Sequence, residues 1–141
     1  KFHNGERLFA GDVIFSLERA QRHIRSVFRG MLAGIDTIAS LDSLTVEIRT
    51  KRPQPTLINI LSLVAIIPKG HDPDRTAIGT GPYRFFKFLP GRGAELESNP
   101  DYWGKRPHFR RVEFRSIPDG DLRAKAQLYG QHPGHQSVRK S

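Results

Sequence analysis

At 141 residues, the chain is long enough for one domain with a core and too short for two domains of ordinary size. Apolar residues make up 37% of it, and the absence of cysteine excludes disulfides and thiolate metal sites. The net charge is +9, of which residues 105–141 carry +6. This basic C-terminal segment is compatible with a nucleic acid or an anionic membrane as partner, although a solvent-exposed surface and tail are the more common explanation of such a charge.

The chain shows no membrane-spanning segment and no signal peptide. Its longest apolar run, residues 57–67, is shorter than the roughly 20 residues that a bilayer requires and is interrupted by Asn59 and Ser62. The opening KFHNGE is typical of a strand end followed by a turn, so we expect that sequence upstream is missing.

The first half of the chain predicts one long helix and a β-hairpin. A helix is expected over residues 11–28, ended by Gly30 and Gly34, with an apolar stripe at helical spacing: Val13, Leu17, Ala20, Ile24, Val27 and Phe28. Alternation predicts a strand over residues 44–48, paired with residues 35–39 across an Asp42-Ser43 turn. Pro55 suits the start of a helix over residues 56–63, followed by a short buried strand over residues 64–67.

The second half predicts mainly strands. Residues 83–89 and 94–98 are expected to form a hairpin around the turn Pro90-Gly91-Arg92-Gly93. A further alternating strand is predicted over residues 111–117. Periodicity is lost after Asp121, so residues 122–141 are predicted to be an irregular basic tail.

The segment GTGPYRF, which begins at Gly79, is compatible with either a phosphate cradle or a bent entry into a strand. Pro82 lacks the N–H that a cradle needs, and the segment leads into a strand, not a helix. We therefore predict a structural turn in which Gly79 and Gly81 adopt unusual dihedrals and Pro82 stiffens the strand entry.

Nothing in the sequence indicates catalysis. The chain has neither a Gly-x-Ser-x-Gly elbow nor a His-Glu-x-x-His helix. Of the six histidines only His132 and His135 are close together, and two ligands fall short of the usual three or four. We predict no enzyme, no metal and no cofactor.

Aromatic and basic residues interleave between residues 83 and 115, as they do on nucleic-acid stacking surfaces. An alternating strand produces the same pattern when its aromatic face packs inward and its basic face meets solvent. We favour the packed interpretation and do not expect a nucleic acid partner.

Three segments together resemble the peptide/nickel-type (family 5) extracellular solute-binding proteins of ABC importers. They are KFHNGERLFAGDVIFSLERA, TLINILSLVAIIPK and GTGPYRFFKFLPGRGAELESNPDYWGKRPHFRRVEFRSIPD. The resemblance covers residues 1–119 and rests on the order and spacing of the motifs.

The resemblance implies an α/β fold: part of a type II periplasmic-binding lobe with a mixed sheet, β-hairpins and two main helices. Residues 1–121 would be a partial first lobe with part of its inserted subdomain. The whole protein would bind a peptide or similar small solute, deliver it to an ABC permease, and be periplasmic or extracellular at the membrane. By position alone, the resemblance suggests Phe28, Ser62 and Val64 as residues facing the ligand cleft.

The chain departs from the family pattern at two places. Phe9 stands where the family has a threonine that caps the first helix, and Asp12 is expected to compensate in part through the positive helix end. After Pro118 the sequence becomes polar, which suggests a truncated or frame-shifted gene. Two alternatives to a solute-binding fragment stay open: a basic module for nucleic acid or anionic surfaces, and a remnant that covers its apolar surface as a homo-oligomer.

Overall fold

The computed structural model describes residues 1–73 and 76–129. Its elements, in chain order, are α1 (Ala10–Arg22), β1 (Ile35–Ser40), β2 (Val46–Thr50), α2 (Leu57–Leu61), β3 (Tyr83–Leu89), β4 (Gly93–Ser98), β5 (Arg111–Arg115) and α3 (Gly120–Tyr129). The α/β class is confirmed. In place of the predicted mixed sheet, the described residues form two separate antiparallel sheets, β1-β2 and β3-β4-β5.

Helix α1 begins without a hydroxyl cap, and Asp12 replaces it. Asp12 Oδ2 accepts the N–H of Phe9 at 2.8 Å, and Oδ1 accepts the N–H of Lys69 at the same distance. One carboxylate therefore satisfies a free donor at the helix start and also ties the helix to a distant loop.

The predicted end of α1 at residue 28 is wrong, because the helix stops at Arg22. His23 adopts an extended backbone, and Ile24 and Val27 are 83% and 77% exposed, so neither packs on the core. Ile24 and Val27 are β-branched and have low helix propensity. Because their side chains are not buried, packing does not stabilise a continued helix.

Strands β1 and β2 pair as predicted, with Ile38 opposite Ile48. The turn between them is held by Asp42, whose Oδ1 accepts the N–H groups of Leu44 and Thr45 at 2.7 and 2.9 Å. These hydrogen bonds, that of Leu44 first, hold the pKa of the Asp42 carboxyl below its ordinary value. The turn thus keeps its anchoring charge down to acidic pH.

The core lies where α1 packs on β1 and β2. Its buried members come from α1, the turn after it, β1 and the segment after α2: Leu17, Ala20, Leu32, Ile35 and Val64. Leu57, Ile60 and Leu61 of α2 pack against this cluster although α2 has only five residues.

Strands β3, β4 and β5 form the second sheet, with the predicted hairpin turn at its tip. Phe85 lies opposite Leu96, which lies opposite Val112, and a bulge follows Phe85. Gly91 and Gly93 have φ angles of 69° and 132°, so this turn uses glycine where side chains are disfavoured.

Partners across a sheet share a face, so the register separates the side chains of this sheet into two sets. One face is apolar: Tyr83, Phe85, Phe88, Leu96, Val112 and Phe114. The other is charged, with Arg84–Glu97 at 2.7 Å, Arg115–Glu113 at 2.7 Å and Arg111–Glu95 at 3.6 Å. Arg111 also lies 4.4 Å over the ring of Phe86.

The prediction that these rings pack into an interior is wrong for the described chain. Phe88 and Phe114 are 62% and 59% exposed, and Trp103 is also largely exposed. Within the described residues no helix and no strand of the first sheet approaches β3, β4 or β5. The alternation of the strands is as predicted, but no helix or strand among the described residues covers the apolar face.

The Gly-Thr-Gly corner is a bend, but the predicted unusual dihedrals at Gly79 and Gly81 are wrong. Neither is among the glycines with positive φ. The bend is instead held by side chains: His3 Nδ1 accepts the N–H of Gly79 at 3.2 Å, and its Nε2 lies 3.1 Å from the carbonyl of Gly81. Asn99, which is buried, donates to the same carbonyl and accepts from Asp101.

The predicted irregular tail begins as a helix, because α3 extends to Tyr129. The remainder of the tail lies outside the described residues. No helix in the described part of the chain combines the length and apolarity that crossing a bilayer requires.

Candidate functional site

A groove of about 450 Å³ lies beside the last turns of α1. Its walls are the C-terminal half of α1, the turn over residues 25–28, and the segment over residues 64–67, with Pro73 at one end. These three stretches converge because the chain turns sharply after Arg22 and because the segment after α2 is hydrogen-bonded to α1.

Most of the groove surface is apolar. The apolar side chains come from all three walls: Ala20, Val27, Phe28, Val64, Ala65, Ile67 and Pro73. Val64 and Ile67 are buried parts of the core edge, whereas Val27 is exposed to solvent. An apolar surface with a few polar groups is the usual composition of a small-molecule site.

The polar groups that line the groove are chiefly hydrogen-bond donors. His23 Nδ1 accepts the N–H of Arg25 at 3.3 Å, which leaves its Nε2–H as a donor when the ring is neutral. Ser26 Oγ accepts the N–H of Phe28 at 3.2 Å and so retains its hydroxyl proton for donation. Arg19 lies one helical turn before His23 and has a guanidinium that can only donate.

Ser16 fixes one wall of the groove to another. Its Oγ accepts the N–H of Ile67 at 3.0 Å and lies 2.7 Å from the carbonyl of Asp12 and 3.2 Å from that of Ile67. Residues 64–67 were predicted as a short strand, which is wrong. The segment is held by Ser16 in place of a β-ladder, and just beyond it Asp12 accepts the N–H of Lys69.

Replacing Ser16 by alanine should lower the free energy of unfolding by about 1–3 kcal/mol, because the buried N–H of Ile67 loses its acceptor. Urea unfolding followed by circular dichroism measures the loss. Ser62→Ala is the matched control, since Ser62 is exposed and its hydroxyl donates to the carbonyl of Asn59 within its own turn. Equal effects of the two substitutions would contradict the role given to Ser16.

The structure brings together two of the three residues suggested for the cleft. Phe28 and Val64 both line the groove, whereas Ser62 does not. Sequence reasoning missed Arg19, His23 and Ser26. The four-residue spacing of Arg19 and His23 is visible in the sequence, but nothing in the sequence indicates that the chain turns after Arg22.

The other candidate chemistries find less support in the described residues. Within residues 1–73 and 76–129, no three potential ligand side chains cluster closely enough to hold a metal ion. His132 and His135 lie outside that part of the chain. Arg84, Arg111 and Arg115 are paired with glutamates on the face opposite Phe85 and Phe88, so these three cations and those two rings do not form one basic surface for stacked bases.

The fold defines the class of protein to which the chain is similar, because it matches part of the type II periplasmic-binding fold. The family model for bacterial extracellular solute-binding proteins, family 5 (middle), matches residues 1–132. The chain belongs to this family, whose members are periplasmic or extracellular binding proteins. The match extends eleven residues past position 121, and the predicted domain division there stays a prediction.

Among curated relatives, a putative ABC transporter peptide-binding protein of Brucella ovis is 32% identical over 133 residues, which are 84% of this chain and 25% of the relative. The binding protein AgaA of A. tumefaciens R10, solved with agropinic acid, superposes with a TM-score of 0.81 at 29% identity, over 89% of this chain and 28% of that one. The oligopeptide-binding protein AppA of Bacillus subtilis, solved with a nonapeptide, superposes with a TM-score of 0.79 at 26% identity, over 92% and 29%. The chain therefore spans about a quarter of the length of these relatives.

Proposed function

We propose that the chain is part of the solute-binding protein of an ABC importer, in which the groove beside α1 forms one wall of a cleft for a peptide or related small solute. The whole protein would deliver that solute to a membrane permease from the periplasmic or extracellular side. Binding without chemical conversion is the activity, in line with a family of binding proteins.

The observation that supports this proposal most directly is the meeting of Phe28 and Val64 in one apolar groove beside the exit of α1. Small-molecule sites bury most of the surface of their ligand between two or more walls. A single wall buries much less of that surface. We therefore expect this chain alone to bind solutes weakly, with the same surface that a complete cleft would use.

The test is an NMR titration of the chain with the tripeptide Ala-Phe-Ala. The peptide should shift amide and methyl signals of Val27, Phe28 and Val64, and Val27→Glu should weaken the binding several-fold because a charge then occupies the apolar wall. Ile24→Glu is the matched control, since Ile24 is equally exposed, lies three residues away and does not line the groove. Shifts confined to other surfaces, or equal effects of the two variants, would contradict the proposal.

A further inference from the structure

The polar lining of the groove bears on the kind of solute that it accepts. Arg19, His23 and Ser26 offer donors, and Nδ1 of His23 and Oγ of Ser26 each already accept one backbone N–H group. Of the other two polar side chains, Ser16 is occupied with Asp12 and Ile67, and Arg25 is engaged in an interaction of its own. A solute group that can only accept hydrogen bonds fits such a lining, and an ionised carboxylate is the common biological group of that kind.

The charge of the groove lining also favours a solute that carries a carboxylate. Among the described residues, the side chains that line the groove include no carboxylate, and of the two arginines Arg25 already has an interaction partner, so Arg19 is the cation that a solute can meet. Arg19 has no ion pair with any residue in the described part of the chain. The neighbouring Arg22, by contrast, lies outside the groove and pairs with Glu18 at 3.6 Å.

The positions of Arg19 and His23 allow both to reach one solute group. They are four residues apart, and the N–H of His23 still donates to the carbonyl of Arg19 at 2.9 Å, so both side chains project from the same helix face. A guanidinium matches a carboxylate with two parallel hydrogen bonds, and the apolar wall of Phe28, Val64 and Ile67 lies beside it.

We propose that Arg19 is a specificity-determining residue of this groove, which selects solutes that carry a carboxylate next to an apolar group. The inference rests on the proposed function and narrows it to one class of solute. His23 supports the same group through its Nε2–H.

The test compares two probes by NMR titration of the whole chain: N-acetyl-L-phenylalanine, which ends in a carboxylate, and its amide, which ends in a neutral group that both donates and accepts. The acid should bind about tenfold more tightly than the amide, as expected for a hydrogen bond to a charged partner. Arg19→Gln should abolish this preference, and Arg22→Gln, on the same helix but outside the groove, should retain it. Unchanged melting temperatures of both variants would show that neither affects folding.

The possible outcomes distinguish a failure of the selectivity proposed for Arg19 from a failure of the proposed binding groove. Equal binding of acid and amide, or a preference that survives Arg19→Gln, would overturn the selection by Arg19 and leave a groove that binds solutes. No shift of groove signals by either probe at tens of millimolar would overturn both this inference and the proposed function. A preference that falls as salt is added would support the ionic contact.

Discussion

Replacing Leu32 by alanine should cause a large loss of stability. Leu32 is fully buried and packs with Leu17, Ile35 and Val64. Truncation of a buried leucine costs about 2–5 kcal/mol, because apolar contacts are lost and a cavity is left. The measurement is urea unfolding followed residue by residue through the NMR signals of α1 and β1.

The control for this prediction is Leu44→Ala. Leu44 is 75% exposed at the β1-β2 turn, so its truncation should change the free energy of unfolding by no more than about 0.5 kcal/mol. If the two leucines had similar effects, the core would not lie where α1 meets the first sheet.

Replacing Gly93 by alanine should disrupt the second sheet. Gly93 has a φ of 132°, and an added Cβ would lie against the carbonyl oxygen of Phe114 and 2.8 Å from its carbonyl carbon. Backbone strain and overpacking each cost about 1–3 kcal/mol. At Gly93 both effects destabilise the pairing of β4 with β5. The expected result is loss of the cross-strand contacts between residues 93–97 and 111–115 in NMR spectra.

Gly30→Ala is the matched control for this second prediction. Gly30 has no atom within 4 Å of the added Cβ and no positive φ, so the substitution should leave both sheets intact. An intact β4-β5 ladder in the Gly93→Ala variant would show that the backbone of Phe114 can move aside at little cost.

Hairpins were predictable from the sequence because alternation and turn residues are local signals. The Asp42-Ser43 turn and the Pro90–Gly93 turn each lie where the composition places them. The end of α1 was not predictable, since Ile24 and Val27 continue the apolar period although neither reaches the core. Periodicity shows which residues are apolar, but it does not show whether another helix or strand packs against them.

The groove was predictable only in part, for a related reason. Phe28 and Val64 were suggested by position alone, and although both line the groove, their role in a ligand cleft stays a prediction. The donors were not predicted, because Arg19 and His23 reach the groove only after the chain turns at His23 and the 64–67 segment docks on Ser16. Nor could the role of His3 at the Gly-Thr-Gly corner be read from the sequence, because 76 residues separate the two.

The separation of the two sheets affects how the protein unfolds. The ladder of β3, β4 and β5 derives its support from its own turns and ion pairs, and the hydrogen bonds of His3 at Gly79 and Gly81 connect it to the N-terminal segment. Local opening of such a unit does not require the helical half to melt with it. We therefore expect the β3-β4-β5 sheet and the half of the chain formed by α1, β1 and β2 to unfold independently of each other.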